Sequence, residues 1–151
     1  MSLSDKESNK KLVEKYPFLR LSDEWTGDHF DDDDFAYTWL DDMPYGWRKA
    51  FGEQMCDEIK EELIRCNYLD KYRIIQIKEK FGGLRWYDTG VPDGCKVWDI
   101  IRKYEKISAT TCIGCGKPAT KVSTGWICPW CDDCANEVGG KFNPIEERIA
   151  Q

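Results

Sequence analysis

The stretch CIGCGKPATKVSTGWICPWCDDCA, residues 112–135, holds five of the eight cysteines of a 151-residue chain. Cys112 and Cys115 form a CxxC pair followed by Gly116. Such a turn sets two sulfurs about one ligand edge apart while its backbone amides point at them. A glycine after the second cysteine suits the positive-φ turn that comes next. The other pair must come from Cys128, Cys131 and Cys134. Pro129 sits between Cys128 and Cys131 and removes an amide that a knuckle would aim at sulfur. Cys131-Asp132-Asp133-Cys134 instead leads into ANEVGG, a short helix with two acids in its first turn. The expected ligands are therefore Cys112, Cys115, Cys131 and Cys134, and the expected ion is zinc, with iron second. Cys128 is left as a neighbour able to substitute. A knuckle, a hairpin around Gly125 and Trp126, then ligands at a helix start is the treble-clef order, with a zinc ribbon as its rival. Four thiolates close a tetrahedron, so this zinc is expected to be structural rather than catalytic.

Working outward, PDGCKVWDIIRKYEKIS leads directly into this module with helical spacing at Val97, Ile100, Ile101, Tyr104 and Ile107, and Asp93 as cap. Before it, YRIIQIKEKFGGLRWYD reads as two strands joined by a Gly82-Gly83 turn. If Phe81 pairs with Leu84, alternation puts Ile75, Ile77, Phe81, Leu84 and Trp86 on one face. Lys78, Lys80, Arg85 and Tyr87 then share the other. Glu79 falls on the apolar side, which implies a bulge, an edge position or a partnered carboxylate.

MPYGWRKAFGEQMCDEIKEELIRCNY is the clearest helix, with Trp47, Phe51, Met55, Ile59, Leu63 and Cys66 on a face expected to pack on a sheet. Cys56 and Cys66 lie near that face and read as small buried side chains. Residues 5–16 form a short polar helix that stops before Pro17. The fold class is α+β: a small antiparallel hairpin packed by helices over 1–109, then a zinc-binding module over 110–151 packed on it.

Composition bounds the function. Hydrophobic residues at 41% and aromatics at 13% describe a folding chain, and 151 residues fit one domain with a small appended module. No apolar run nears the roughly 20 residues of a membrane span, and the N-terminus carries no apolar export segment, so a cytoplasmic protein is expected. Clustered cysteines without an export signal favour a metal over a disulfide scaffold. A net charge of −6 opposes unaided, non-specific binding to nucleic acid.

Charge is uneven, however. Residues 21–47 contain no Lys or Arg but many aspartates among Trp25, Phe30, Phe35, Tyr37, Trp39, Tyr45 and Trp47. This acidic, aromatic segment is the expected contact for a partner protein, with Trp25 and Trp39 as anchors and Asp31, Asp32, Asp33 and Asp34 steering a basic surface. The alternative is nucleic-acid binding by the basic strand face, Lys78, Lys80, Arg85 and Tyr87, helped by Lys117 and Lys121. Against it stands internal pairing of Arg85 and the lysines with the acidic segment.

No catalytic residue is assigned. His29 is the single histidine, and the chain holds no Walker loop, dinucleotide fingerprint or nucleophile elbow. The Asp31–Asp34 run lacks the glycine and the terminal glutamate of a calcium loop. A metal-dependent nuclease built on those acids is the enzymatic alternative.

Three segments together, MPYGWRKAFGEQMCDEIKEEL, QIKEKFGGLRWY, and YEKISATTCIGCGKPA with GWICPWCDDCA, resemble a family of small uncharacterised zinc-binding proteins of Firmicutes and their phages and prophages. The likeness spans roughly residues 37–135. In that family the second ligand pair is often Cys-x-x-His, and the position of Cys128 need not be cysteine. The resemblance thus implies the same four ligands, with Cys134 in place of the histidine and one more unit of negative charge. It also implies an accessory protein of a mobile element, acting on a host or phage protein. Neither resemblance nor residues imply an oligomeric state.

Overall fold

The computed structural model describes residues 3–21 and 35–146. Helix α1, Leu3–Lys15, ends where Pro17 forces its predecessor out of helical geometry, and Pro17–Leu19 continue as one 3-10 turn. Tyr16, Phe18 and Leu19 at this exit are buried, so the polar helix is moored at its C-terminal end. A second 3-10 turn, Trp39–Asp42, opens the main helical region.

That region, expected as one helix, is three pieces: α2 (Tyr45–Trp47), a π-helical turn (Arg48–Gly52) and α3 (Glu53–Arg65). A π turn inserts one extra residue per hydrogen-bonded loop and marks places where a neighbour crowds the helix. Trp47, Phe51, Met55, Ile59 and Leu63 are buried as their spacing requires, and Cys56 with them. Cys66, which caps α3, is half-buried instead.

Strands β1 (Ile74–Lys80) and β2 (Gly83–Asp88) form the expected antiparallel hairpin. Its turn is shifted by one residue: Lys80 pairs with Gly83, so Phe81 and Gly82 make the two-residue loop, with φ of 53° and 76°. Positive φ at both loop positions is the primed turn whose twist matches that of the strands. Phe81 is accordingly 69% exposed and does not join the apolar face. A bulge between Ile74 and Gln76 corrects the other end, turning Ile74 inward and leaving Ile75 exposed. The core face is Ile74, Ile77, Leu84 and Trp86. Below it, Tyr72 donates to Asp88 Oδ2 (2.6 Å) and accepts from Trp86 Nε1 (2.9 Å), which satisfies both buried rings.

Helix α4, Val97–Ser108, lies against β2 and against α3, so the helix covering the sheet is α4, with α3 stacked on it. Ser108 Oγ accepts from Leu84 N (2.8 Å), which joins the end of α4 to the start of β2. The expected Asp93 cap is not used; Lys96 occupies the cap, and its amide donates to Glu62 Oε2 of α3 (2.5 Å). Beyond α4 come β3 (Lys121–Ser123), β4 (Pro129–Trp130), α5 (Asp132–Val138) and β5 (Phe142–Pro144), with strand order β4-β3-β5. The whole is α+β with four cysteines clustered in the C-terminal region. Among the described residues no helix is long and apolar enough to cross a membrane.

Candidate metal centre

Two local structures bring the cysteines together. In the first, Cys112 N donates to Lys117 O (2.7 Å) and Gly116 N to Cys112 O (3.0 Å), folding residues 112–117 into a tight knuckle. Gly116 takes φ +87°, as the position after the second cysteine requires. In the second, Cys131 is the N-cap of α5, and its sulfur accepts from Cys134 N at 3.4 Å. A bond from Ile113 N to Pro129 O (2.9 Å) then draws the knuckle onto β4.

The result is a four-sulfur cluster. The Sγ atoms of Cys112, Cys115, Cys131 and Cys134 all lie within 4.8 Å of one another, and Cys115 and Cys131 are 3.6 Å apart. A disulfide would need about 2.05 Å. A tetrahedron of metal–sulfur bonds of about 2.3 Å has edges near 3.8 Å. The donor set could therefore hold a metal ion. Gly114 makes room: a Cβ there would sit 3.2 Å from both Cys134 Sγ and the Trp130 ring. Cys128 is not among the clustered thiols; its backbone pairs with Ser123 across the hairpin, and its side chain is buried.

The electrostatics agree with the donor role. Burial pushes the Cys112 thiol up, but amides of Cys131, Cys115 and Gly114 aimed at its sulfur more than offset this and bring it down to about 7. Burial pushes Cys131 and Cys134 up, with hydrogen bonding to neighbouring thiols adding to it. Protons crowded between four sulfurs are what a divalent cation displaces.

The cluster is seated on the helical region by contacts that sequence reasoning missed. Gly46 N donates to Ile113 O (2.9 Å), and Trp47 Nε1 donates to Thr111 O (2.9 Å). A Cβ on Gly46 would lie 2.3 Å from Cys112 O and 2.5 Å from Ile113 O, and one on Gly116 would lie 2.6 Å from Gly46 O. Backbone meets backbone here with no space for a side chain, and the π turn 48–52 lies alongside, its Ala50 Cβ 3.3 Å from that same Gly116 position. A Gly-Trp pair ahead of a helix was the available signal. It reads equally well as ordinary amphipathic packing.

Other expected site residues fall as follows. Trp25 and Asp31–Asp34 lie outside the described residues, as does His29. Trp39 is half-buried and packs against the core. Lys78 and Arg85 face each other across the strands, with Tyr87 and Lys80 on the same side, and Lys78 sits 5.9 Å above the Tyr87 ring. Among the described residues none of Lys78, Lys80 and Arg85 forms an ion pair, and most of the acidic segment they were expected to meet lies outside the described residues. Lys117 and Lys121 do pair, with Asp133 (4.0 Å) and Asp132 (3.7 Å) of α5. Glu79 is the partnered carboxylate: it accepts from Gly82 N (2.7 Å) and from Trp126 Nε1 (3.0 Å), linking the tips of the two hairpins. A second group, Glu62, Cys66 and Cys95, was not foreseen; its three donor atoms also lie within 4.8 Å of one another. Glu62 and Cys66 stand four apart at the end of a helix, a spacing that puts them on one face.

Compared with models of known protein families, with curated proteins and with solved structures, the chain matches none.

Proposed function

We propose that the chain is a non-enzymatic zinc protein in which Cys112, Cys115, Cys131 and Cys134 hold one structural zinc. The observation that carries this reading is the four-thiol cluster, with every donor within 4.8 Å of the others and the knuckle seated on Gly46 and Trp47. Four thiolates leave a tetrahedral ion no position for substrate. The order of knuckle, hairpin and a helix whose first turn carries two ligands supports a treble clef over a ribbon. The cytoplasm, where thiols stay reduced, is the compartment that suits such a site.

On this reading the zinc module buttresses a binding platform. The chain acts as an accessory protein of a mobile element, taking a basic host or phage protein onto the segment that carries Trp25, Asp31–Asp34 and Trp39. Capture of a defined basic partner by the zinc-loaded chain, lost in Trp25→Ala and in an Asp31–Asp34 to Asn variant that keep their zinc, is the expected result. Undiminished capture by both variants overturns the assignment.

The cations that share one face of the first hairpin with Tyr87 favour a second reading, in which Lys78, Lys80, Arg85 and Tyr87 bind a nucleic-acid strand. Anisotropy titration of a labelled single strand at low salt separates the two. Binding that falls steeply with salt and with Arg85→Ala supports the second reading, and no binding removes it.

A further inference from the structure

The eight cysteines sort by their surroundings. Cys56 is fully buried, where burial pushes its thiol far up and closes it to reagents. Cys128 is 5% exposed inside its hairpin, and four others form the metal cluster. Cys66 and Cys95 remain, both half-buried, and they face each other from different elements. Cys66 caps α3; Cys95 sits in the turn before α4, its amide donating to Pro92 O (3.0 Å).

Glu62 beside them is already engaged. Its oxygens accept from Arg65 Nε (2.7 Å), Arg65 Nη2 (2.6 Å) and Lys96 N (2.5 Å), and only a weaker bond, 3.3 Å, comes from Cys66 Sγ. A guanidinium over the carboxylate disfavours a metal cation there, while the two thiols stay close to each other. We propose that Cys66 and Cys95 are an oxidative modification site, joined into an intramolecular disulfide by a low-molecular-weight disulfide, RSSR.

The step is thiol–disulfide exchange. Burial and hydrogen bonds to Cys95 and Glu62 push the Cys66 thiol up to about 12, which disfavours Cys66 as the first nucleophile, and the proposed exchange starts from Cys95. A Cys95–S–SR bond forms as the RSSR bond breaks, and the departing RS⁻ takes up the proton that Cys95 gave to water. Cys66 then attacks Sγ of Cys95, its proton passing to the second RS⁻ as that leaves. Two cysteine thiols are oxidised and one RSSR is reduced to two RSH. Forming the link orphans no polar group, because Glu62 loses its Cys66 contact but keeps Arg65 and the Lys96 amide. The link fastens the end of α3 to the start of α4 and closes a loop around the first hairpin.

The test treats the metal-loaded full chain with graded oxidised glutathione, digests it without reduction, and reads cross-linked peptides and released metal by mass spectrometry. The expected first product is the Cys66–Cys95 link, formed before any metal leaves. Cys66→Ser, or Cys66→Ala if the serine variant does not fold, should accumulate RS on Cys95 and form no link. The proposal is overturned if the first disulfides join Cys112, Cys115, Cys131 or Cys134 with loss of metal, or if Cys66 and Cys95 each retain a separate RS group. It is equally overturned if neither reacts. Metal release is read independently of the cross-link, so failure of the zinc assignment and failure of this one are distinguishable.

Discussion

The two hairpins of this molecule differ in length and in what surrounds them: strands of seven and six residues in the first, of three and two in the second. The first, β1–β2, lays Ile74, Ile77, Leu84 and Trp86 on a core that includes Tyr72, Val97 and Ile101. The second, β3–β4, has only half-buried residues in β3, and the buried residues around it are few, with Ile145 the one large aliphatic side chain beside Ala119, Cys128, Pro129 and Ala135. Burying a large aliphatic or aromatic side chain contributes about 1.5–3 kcal/mol, so the first hairpin is stabilised by ordinary packing. The second has too little apolar surface for that, and on the proposed assignment a metal bonded to its four clustered cysteines would substitute for the missing core. On that assignment one chain uses hydrophobic burial where sequence supplies large side chains and coordination where it supplies cysteine. The predictions that follow separate the two devices.

Removing the metal should have the largest effect. Structural zinc contributes on the order of 10 kcal/mol in small modules, so Cys131→Ser or a strong chelator should unfold residues 110–146. Amide exchange should show protection lost in β3, β4 and α5 but kept in β1 and β2; equal loss in both hairpins would erase the distinction. Next is Gly46→Ala, whose Cβ would meet the Cys112 and Ile113 carbonyl oxygens at 2.3 and 2.5 Å. Backbone cannot yield as a side chain does, and a cost of about 3 kcal/mol or more is expected from denaturant unfolding. Metal stoichiometry should survive, because the ligands themselves are untouched.

Two matched changes probe each hairpin's attachment. Trp47→Phe leaves Thr111 O without its donor, and Ser108→Ala leaves the buried Leu84 N–H without its acceptor. Each should cost about 1–3 kcal/mol. The first should loosen the cysteine module selectively in amide exchange, and the second should loosen β2.

The smallest effect concerns Glu62, held at about 2 by the Arg65 guanidinium first and the Lys96 amide second. A carboxylate held low in the folded state adds stability above its ordinary range, and loses it as pH falls through the folded value. Thermal melts of the wild type and Glu62→Gln should therefore differ most near neutrality and converge between about pH 4.5 and pH 2. Because the Arg65 guanidinium that holds it is exposed to solvent, the difference should stay within about 1 kcal/mol. A constant gap across that window contradicts the assignment of the shift to Glu62. Acid release of metal affects both proteins alike and drops out of the comparison.

Where periodicity was long, it located elements well. The stripe from Trp47 to Leu63, running through α2, the π turn and α3, and the α4 stripe at Val97, Ile101 and Tyr104 are buried as spaced. Which four thiols cluster was legible because a proline inside one candidate pair and two acids inside the other are local chemical facts. The one-residue slip of the hairpin turn was not, since Phe81-Gly82 and Gly82-Gly83 are both competent turns and only the bulge at Ile75 lets Ile74 and Ile77 both reach the core. The π turn and the Gly46 contact were hidden for another reason. Both lie against a knuckle more than sixty residues later in the chain, and no local pattern encodes that contact.

The central claim, one metal on Cys112, Cys115, Cys131 and Cys134 with Cys128 a bystander, is tested most directly by native mass spectrometry of Cys128→Ser beside Cys131→Ser. The expected result is one zinc per chain in the wild type and in Cys128→Ser, and none in Cys131→Ser. Zinc lost from Cys128→Ser and kept by Cys131→Ser, or a wild type that takes up no zinc, would contradict it.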